Sequence, residues 1–163
     1  RKILLKVGGD TPCPRAELLL YQAGRAQHVD KVIEPALKQN KWVLCDRFTA
    51  SSIAFQSAGR DLPESEIVNL NNFSTNKIKP NLTVLLDLDV LEAQKRRSKR
   101  YAENGDSEDR FELEKIDFHN SVRQSFLEQA NQDKDNWLVL DATKAPGELL
   151  EELVSHLKGK SWL

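Results

Sequence analysis

Three short apolar runs, each closed by an aspartate, constrain the fold of this chain more than any other feature. They are Trp42-Val43-Leu44-Cys45-Asp46, Leu82-Thr83-Val84-Leu85-Leu86-Asp87 and Trp137-Leu138-Val139-Leu140-Asp141. Each has the length of a strand, and its apolar residues are consecutive rather than alternating, as in strands buried on both faces. Between the runs the apolar residues recur at helical spacing. Leu18, Leu19, Tyr21, Ala26, Val29, Val32, Ile33, Ala36 and Leu37 mark helix over 15–40, with Pro35 dividing it. Further helices are predicted from within 51–55, from Leu62-Pro63-Glu64 to Lys79-Pro80, over 90–101, over 111–131 and over 146–158. Strands separated by helices imply parallel pairing with helices on both faces, so the predicted class is α/β.

A chain of 163 residues is long enough to bury a core as one domain, here 1–163. Its formal net charge of −1 supplies no global field toward nucleic acid or an anionic membrane, and neither is expected as a partner. No apolar run approaches the roughly 20 residues of a membrane span, and no secretory signal pattern is present. Cys45 lies within an apolar run and reads as a buried thiol, so a reducing cytoplasm is the expected compartment for Cys13 and Cys45. The chain starts at Arg1 and contains no methionine, from which a preceding segment of the gene product is expected.

The chemistry concentrates where the first run stops. An acid and a base, Asp46 and Arg47, stand together at the carboxyl end of a predicted strand, where parallel α/β sheets place ligand-binding groups. Asp suits a hydroxyl or a hydrated Mg²⁺, and Arg can fork two donors onto a phosphoryl group. Phe55 and Gln56 follow closely, offering a stacking face and an amide to a nucleobase or sugar. Asp87 and Asp141 should reach the same sheet edge, although each also reads as a turn residue after a strand. Gly8-Gly9-Asp10-Thr11-Pro12 reads as an ordinary loop, because no strand precedes it and no Gly-Lys-Ser/Thr follows. His28, His119 and His156 show no metal-ligand spacing with the cysteines.

Four pieces in register resemble thymidylate kinases. These are the segment from Leu18 to Val29, the Asp46-Arg47-Phe48 corner, the run from Ser51 to Gln56, and Asp109-Arg110-Phe111-Glu112. The resemblance implies a three-layer P-loop fold with a five-stranded parallel sheet, three strands of which would lie in this chain. It also implies transfer of the γ-phosphoryl of ATP to dTMP with Mg²⁺, and a homodimer packed through helices near 15–40 and 51–77. Tyr21 would stack on thymine, or serve only as a core aromatic. Arg25 would reach the base carbonyl, or face solvent on its helix. Asp46 and Arg47 would meet the acceptor phosphate and the metal, with Asp46 as metal ligand, directly or through water. Ser51 and Ser52 would face the pyrimidine edge, and Phe55 would crowd the 2′ position of the sugar.

The cation-rich helix and the loop after it, 95–110, resemble the family's mobile lid. Arg97, Arg100 and Arg110 are its candidates for stabilising transferred charge, against the alternative of a solvated basic helix face. Asp109 and Glu112 match the acids after the lid, and Glu112 equally suits a helix N-terminus. The family's P-loop and its Arg-Glu-Pro-Gly-Gly-Thr segment are not among these residues, so a chain starting at Arg1 is expected not to turn over alone. Another nucleoside monophosphate kinase of the same fold, and a non-catalytic nucleotide-binding protein, are the competing functions.

Overall fold

The computed structural model describes residues 2–5, 7–105 and 108–163. The chain divides into two compact units, one of residues 1–79 and 107–126, the other of 80–106 and 127–163.

The first unit is helical. A short helix α1 (Lys2–Leu5) precedes α2 (Pro14–His28), which Pro14 opens at a position where its missing N–H costs nothing. α2 continues through a π-helical turn, Val29–Ile33, into α3 (Glu34–Lys38), with Pro35 in the first turn of α3. The chain resumes as helix at α4 (Thr49–Ser52), runs through a second π-helical turn, Ile53–Ala58, and returns as α5 (Glu64–Ser74). Leu18, Val29, Ile33, Ala54 and Ile67 form its apolar core. α2 buries Glu17, Leu18 and Gln22 rather than the Leu18, Leu19 and Tyr21 stripe that hydropathy suggests, and Leu19 is exposed. Polar side chains thus hold part of the inner face of α2.

The second unit carries a two-stranded parallel sheet. β1 (Thr83–Asp87) pairs with β2 (Trp137–Asp141) from Thr83 opposite Trp137 to Asp87 opposite Asp141. Both terminal aspartates therefore lie at the same sheet end, as the repeated apolar-run-plus-Asp pattern predicts. α6 (Val90–Asn104) follows β1, and Asp89 caps it by accepting from the Leu91 and Glu92 amides at 2.9 and 3.4 Å. Gly105, at φ 71°, ends that helix, which runs to Asn104, three residues beyond the predicted end at 101, because a left-handed residue closes the turn cheaply. α7 (Ile116–Gln132) is shared between the units by sequence, and α8 (Pro146–Gly159) closes the chain. Glu148 accepts from the Ala145 amide at 2.8 Å at the start of α8.

Two expectations are corrected. The run at 42–46 is extended but is not a strand, and Leu44 is 95% and Trp42 62% exposed. Strand preference expresses fit to a pleated, half-buried surface, and among the described residues this run has no ladder partner. Cys45 is accordingly half-buried rather than buried, and the sheet has two strands among the described residues instead of three. The helix predicted from Phe111 begins instead at Ile116, because the residues before it close a turn of their own. Asp106 and Ser107 of the expected lid lie outside the described residues.

Candidate active site

Glu17, Tyr21 and Arg25 are four residues apart on α2 and therefore share one face of it. That face organises the first unit. At its carboxyl end Arg25 donates from Nη1 to Gln22 Oε1 at 2.7 Å and to Asn71 Oδ1 at 2.8 Å. From Nη2 it donates to the Phe48 carbonyl at 3.1 Å and to Ser52 Oγ at 2.8 Å. All four acceptors are neutral. Burial lowers the Arg25 pKa to about 10, so the guanidinium remains a cation at neutral pH without a carboxylate beside it.

The Asp46-Arg47 corner leads into the segment that Arg25 holds. Arg47 adopts φ 68°, a left-handed conformation that costs a non-glycine residue about 1 kcal/mol or more. Its guanidinium lies 5.2 Å from the centroid of the Phe55 ring, and the Cys45 thiol donates to its carbonyl at 3.4 Å. Burial pushes that thiol's pKa up. Asp46 is exposed, and Ser51, half-buried, donates its amide to the Phe48 carbonyl at 3.2 Å. Ser52 is buried against Arg25.

The π-helical turn Ile53–Ala58 turns Phe55 and Gln56 inward together. Extra residues in a helical turn re-aim side chains, which is why such turns recur at functional sites. Phe55 meets Phe111 edge-on at 5.7 Å, Phe118 at 6.1 Å and Phe126 at 6.3 Å, and Tyr21 reaches the same cluster through Phe111 at 6.4 Å. Gly59 makes this packing possible, since a Cβ there would sit 2.6 Å from Phe118 Cε2 and 2.6 Å from the Phe55 carbonyl oxygen. Gln56 is buried, and its amide donates to Glu17 Oε1 at 2.9 Å, so its polar end is spent on the protein.

Glu17 is the hub of a second network. It is fully buried, at 0% exposure, and its Oε2 accepts from Arg110 Nη2 and lies 3.6 Å from Arg60 Nε. Arg110 also donates from Nε to the Leu4 carbonyl at 3.1 Å, and its guanidinium lies 4.8 Å from the centroid of the Phe111 ring. Arg60 pairs with Glu114 at 2.6 Å and stacks on Phe118 at 4.9 Å. Burial raises the Tyr21 pKa, and the Glu17 carboxylate adds to that shift.

Asp109 and Glu112 close the turn that presents Arg110 and Phe111. Asp109 Oδ1 accepts from the Phe111 and Glu112 amides at 2.9 and 3.0 Å, and Glu112 Oε2 accepts from the Asp109 amide at 2.8 Å. This reciprocal arrangement has the form of a capping box. With the Leu113 amide donating to the Asp109 carbonyl at 3.1 Å and the Glu114 amide to the Phe111 carbonyl at 3.2 Å, it closes a separate turn before α7 begins at Ile116.

Of the lid candidates, Arg97 and Arg100 lie on α6 in the second unit. Arg97 is half-buried, and Arg100 is exposed and donates to the Tyr101 hydroxyl at 3.2 Å. Arg96 on the same helix donates to the Ala142 carbonyl at 2.8 Å, which ties α6 to the loop after β2. A hollow of about 220 Å³ in this unit, lined by Leu127, Ala130, Asn131, Lys134, Trp137 and Val139, contains none of the predicted site residues.

The sequence profile of the family described as thymidylate kinase matches residues 1–153. The chain belongs to the thymidylate kinase family. It is 52% identical to the thymidylate kinase of Bdellovibrio bacteriovorus over 157 residues, covering 96% of this chain and 73% of that protein. It is 40% identical to the thymidylate kinase of Pelobacter propionicus, covering 96% of this chain and 72% of that protein. The crystal structure of thymidylate kinase from Ehrlichia chaffeensis superimposes with a TM-score of 0.68 at 27% identity, over 93% of this chain and 66% of that one. The chain thus spans about two thirds to three quarters of the length of these relatives. Membership assigns it to the dTMP-phosphorylating kinases, in which a nucleotide donates the phosphoryl group.

Within the first unit the predicted residues fall into two pairs: Arg25 bonds Ser52 directly, and Tyr21 and Phe55 meet through Phe111. Glu17, Gln22, Arg60 and Asn71 are polar residues of these two networks that hydropathy hides. Glu17 shares the four-residue spacing of Tyr21 and Arg25 but also reads as an ordinary first-turn acid, whereas Gln22, Arg60 and Asn71 carry no local signal.

Proposed function

We propose that the protein containing this chain phosphorylates dTMP to dTDP, with ATP as donor and Mg²⁺ as its metal, and that residues 1–79 and 107–126 supply the acceptor side. The observation that carries this reading is Arg25, a cation held entirely by neutral acceptors between α2, α5 and the Phe48–Ser52 segment. A cation so placed keeps its attraction for an electron-rich carbonyl of a base. Tyr21 and Phe55 supply the aromatic surface against thymine and deoxyribose, and Ser51 and Ser52 the hydroxyls near the pyrimidine edge. Arg47, beside the exposed carboxylate of Asp46, meets the acceptor phosphate.

Among the described residues no three metal-ligating acids or imidazoles cluster. Mg²⁺ in phosphoryl transfer takes one or two carboxylates and fills its shell with water and phosphate oxygens, so Asp46 suits it as a single ligand. When bound, the ion neutralises phosphate charge. Arg97 and Arg100 are assigned to the lid, 95–110, where they stabilise transferred charge. Arg110, engaged by Glu17 and Leu4, orders Phe111 and contributes to charge through its position. Asp109 and Glu112 shape the turn beside the substrate.

The continuous family match over 1–153 supports one thymidylate-kinase-like domain of three-layer P-loop architecture over 1–163. Exposed Leu19 and Phe73, the latter 85% exposed, support a homodimer through helices near 15–40 and 51–77. Free cysteines support a cytoplasmic location, and no helix among the described residues is long and apolar enough to cross a membrane. Calorimetric titration of the chain with dTMP, dCMP, dAMP and UMP tests the acceptor assignment. Selective dTMP binding is expected, and preference for a purine or ribonucleotide would overturn it. Sedimentation at micromolar concentration tests the dimer, and Phe73→Asp is expected to shift it to monomer.

A further inference from the structure

Arg25 spends four of its five N–H groups inside the protein, and two of those bonds end on amides from different helices. Gln22 Oε1 accepts from Arg25 Nη1 at 2.7 Å and from Ser74 Oγ at 2.6 Å, while Gln22 Nε2 donates to Asn71 Oδ1 at 2.9 Å. Asn71 Oδ1 accepts in addition from Arg25 Nη1 at 2.8 Å, and Asn71 Nδ2 donates to the Thr49 carbonyl at 3.3 Å. The direction of each amide follows from its neighbours. Turning Gln22 over would set an NH₂ group against both the Arg25 Nη1 donor and the Ser74 hydroxyl proton, and turning Asn71 over would do the same against Arg25 and Gln22. Gln22, Asn71 and Ser74 are all buried, so water offers no substitute partners.

We infer that Gln22 and Asn71 are positioning residues for base recognition: their paired amides lock the Arg25 guanidinium in one orientation while leaving its charge uncompensated. A carboxylate in either place would still accept from Arg25 but would neutralise it and would lose the amide's own donated bond. An apolar residue would leave the charge but hold the guanidinium less firmly, with the Nη2 bonds to Phe48 and Ser52 still in place. The amide pair alone does both things, and ordering a long side chain before the ligand arrives removes that entropic cost from binding. The lowering of the Arg25 pKa by burial, without any acid among its hydrogen-bond partners, agrees with a cation held unneutralised. This inference rests on the assignment of Arg25 to the base of dTMP.

The test compares two ligands by calorimetry on the 163-residue chain: dTMP, and 2-deoxyribose 5-phosphate, which keeps sugar and phosphate and lacks the base. Asn71→Leu, close in size, is expected to weaken dTMP about tenfold while the base-free ligand changes less than about twofold. Gln22→Met should behave alike. Asn71→Asp retains both acceptor contacts, loses the bond to the Thr49 carbonyl and neutralises Arg25, and it is expected to give the same base-selective loss, with an unfolding scan to check that the fold is kept. Equal weakening of both ligands in the Asn71 variants would reduce the amides to general structural support and overturn the inference. Unchanged dTMP affinity in those variants, with Arg25→Ala losing base-dependent affinity, would overturn it while leaving the role of Arg25 intact. If Arg25→Ala loses no base-dependent affinity, or the unaltered chain does not bind dTMP, the functional assignment itself fails and the inference falls with it.

Discussion

Replacing Glu17 by Gln preserves size and shape and removes one charge, so it isolates what the buried carboxylate does. Glu17 has no exposure, and its two cationic neighbours are nearly as dry, with side chains of Arg60 and Arg110 exposed to 16% and 15%. Arg60 retains Glu114 at 2.6 Å after the change. Arg110 keeps the Leu4 carbonyl and its stacking on Phe111 but loses the one carboxylate bonded to it among the described residues. In addition, the new amide has to present its NH₂ either to Arg110 or to the Gln56 amide, each already a donor. Breaking a buried pair by removing one partner costs about 3–5 kcal/mol, and the residual hydration of the arginines places this case near the low end, about 3 kcal/mol. For a chain of this length that corresponds to a drop in melting temperature of roughly 10 °C. Near-ultraviolet circular dichroism during thermal and urea unfolding reads it directly, because the aromatic cluster lies against both arginines. The double variant Glu17→Gln/Arg110→Met should be less destabilised than Glu17→Gln alone, since no orphaned charge remains at that position. A Glu17→Gln protein within about 0.5 kcal/mol of the parent, a value normal for unimportant surface changes, would refute the reasoning.

Other consequences follow from single contacts. Gly59→Ala forces a methyl group to within 2.6 Å of Phe118 Cε2 and of the Phe55 carbonyl, and overpacking of this kind should cost about 1–3 kcal/mol by urea midpoint. Asp89→Ala removes the acceptor for the Leu91 and Glu92 amides, and a loss of about 1 kcal/mol is expected in the same measurement. Asp141 accepts from the Thr143 hydroxyl at 2.7 Å and the Thr143 amide at 2.9 Å, which together hold its carboxyl below the usual 3.8. A depressed carboxyl stabilises the fold above its unfolded pKa and loses that contribution as pH falls through the folded value. Carbon-detected NMR titration should find the Asp141 midpoint below 3.8, and Thr143→Val should move it upward; an unmoved midpoint would assign the shift to the amide alone.

How far the fold was legible depends on which interactions each element needs. The runs ending at Asp87 and Asp141 became a parallel pair in register because each finds the other as its ladder. The run ending at Asp46 has the same composition and stays extended coil, since apolar character marks a segment for burial but cannot supply a neighbouring strand. Helix starts were legible to within a residue where a local residue sets them, such as Pro14 and Asp89. The start of α7 was misplaced because Asp109 and Glu112 close a turn through side-chain bonds that periodicity does not register.

The site divides along the same line. Asp46, Arg47 and Phe55 announce chemistry by residue type, and the family resemblance adds Tyr21 and Arg25. What holds them does not announce itself: Gln22 and Asn71 stand 49 residues apart and look like ordinary polar helix residues until the fold brings their amides to 2.9 Å. Glu17 is concealed for the opposite reason, because an acid in the first turn of a helix has an adequate explanation in the helix dipole. Its complete burial between two arginines and a glutamine shows a different role. Gln56 moves the other way, from a residue read as offering its amide to a ligand to one that spends it on Glu17. A buried polar group must find partners, and those partners lie far away in sequence, so polar networks are the part of a site that one-dimensional patterns convey least. In this chain the groups proposed to touch dTMP are named by residue type and family resemblance, and the groups that fix their geometry emerge only from the fold.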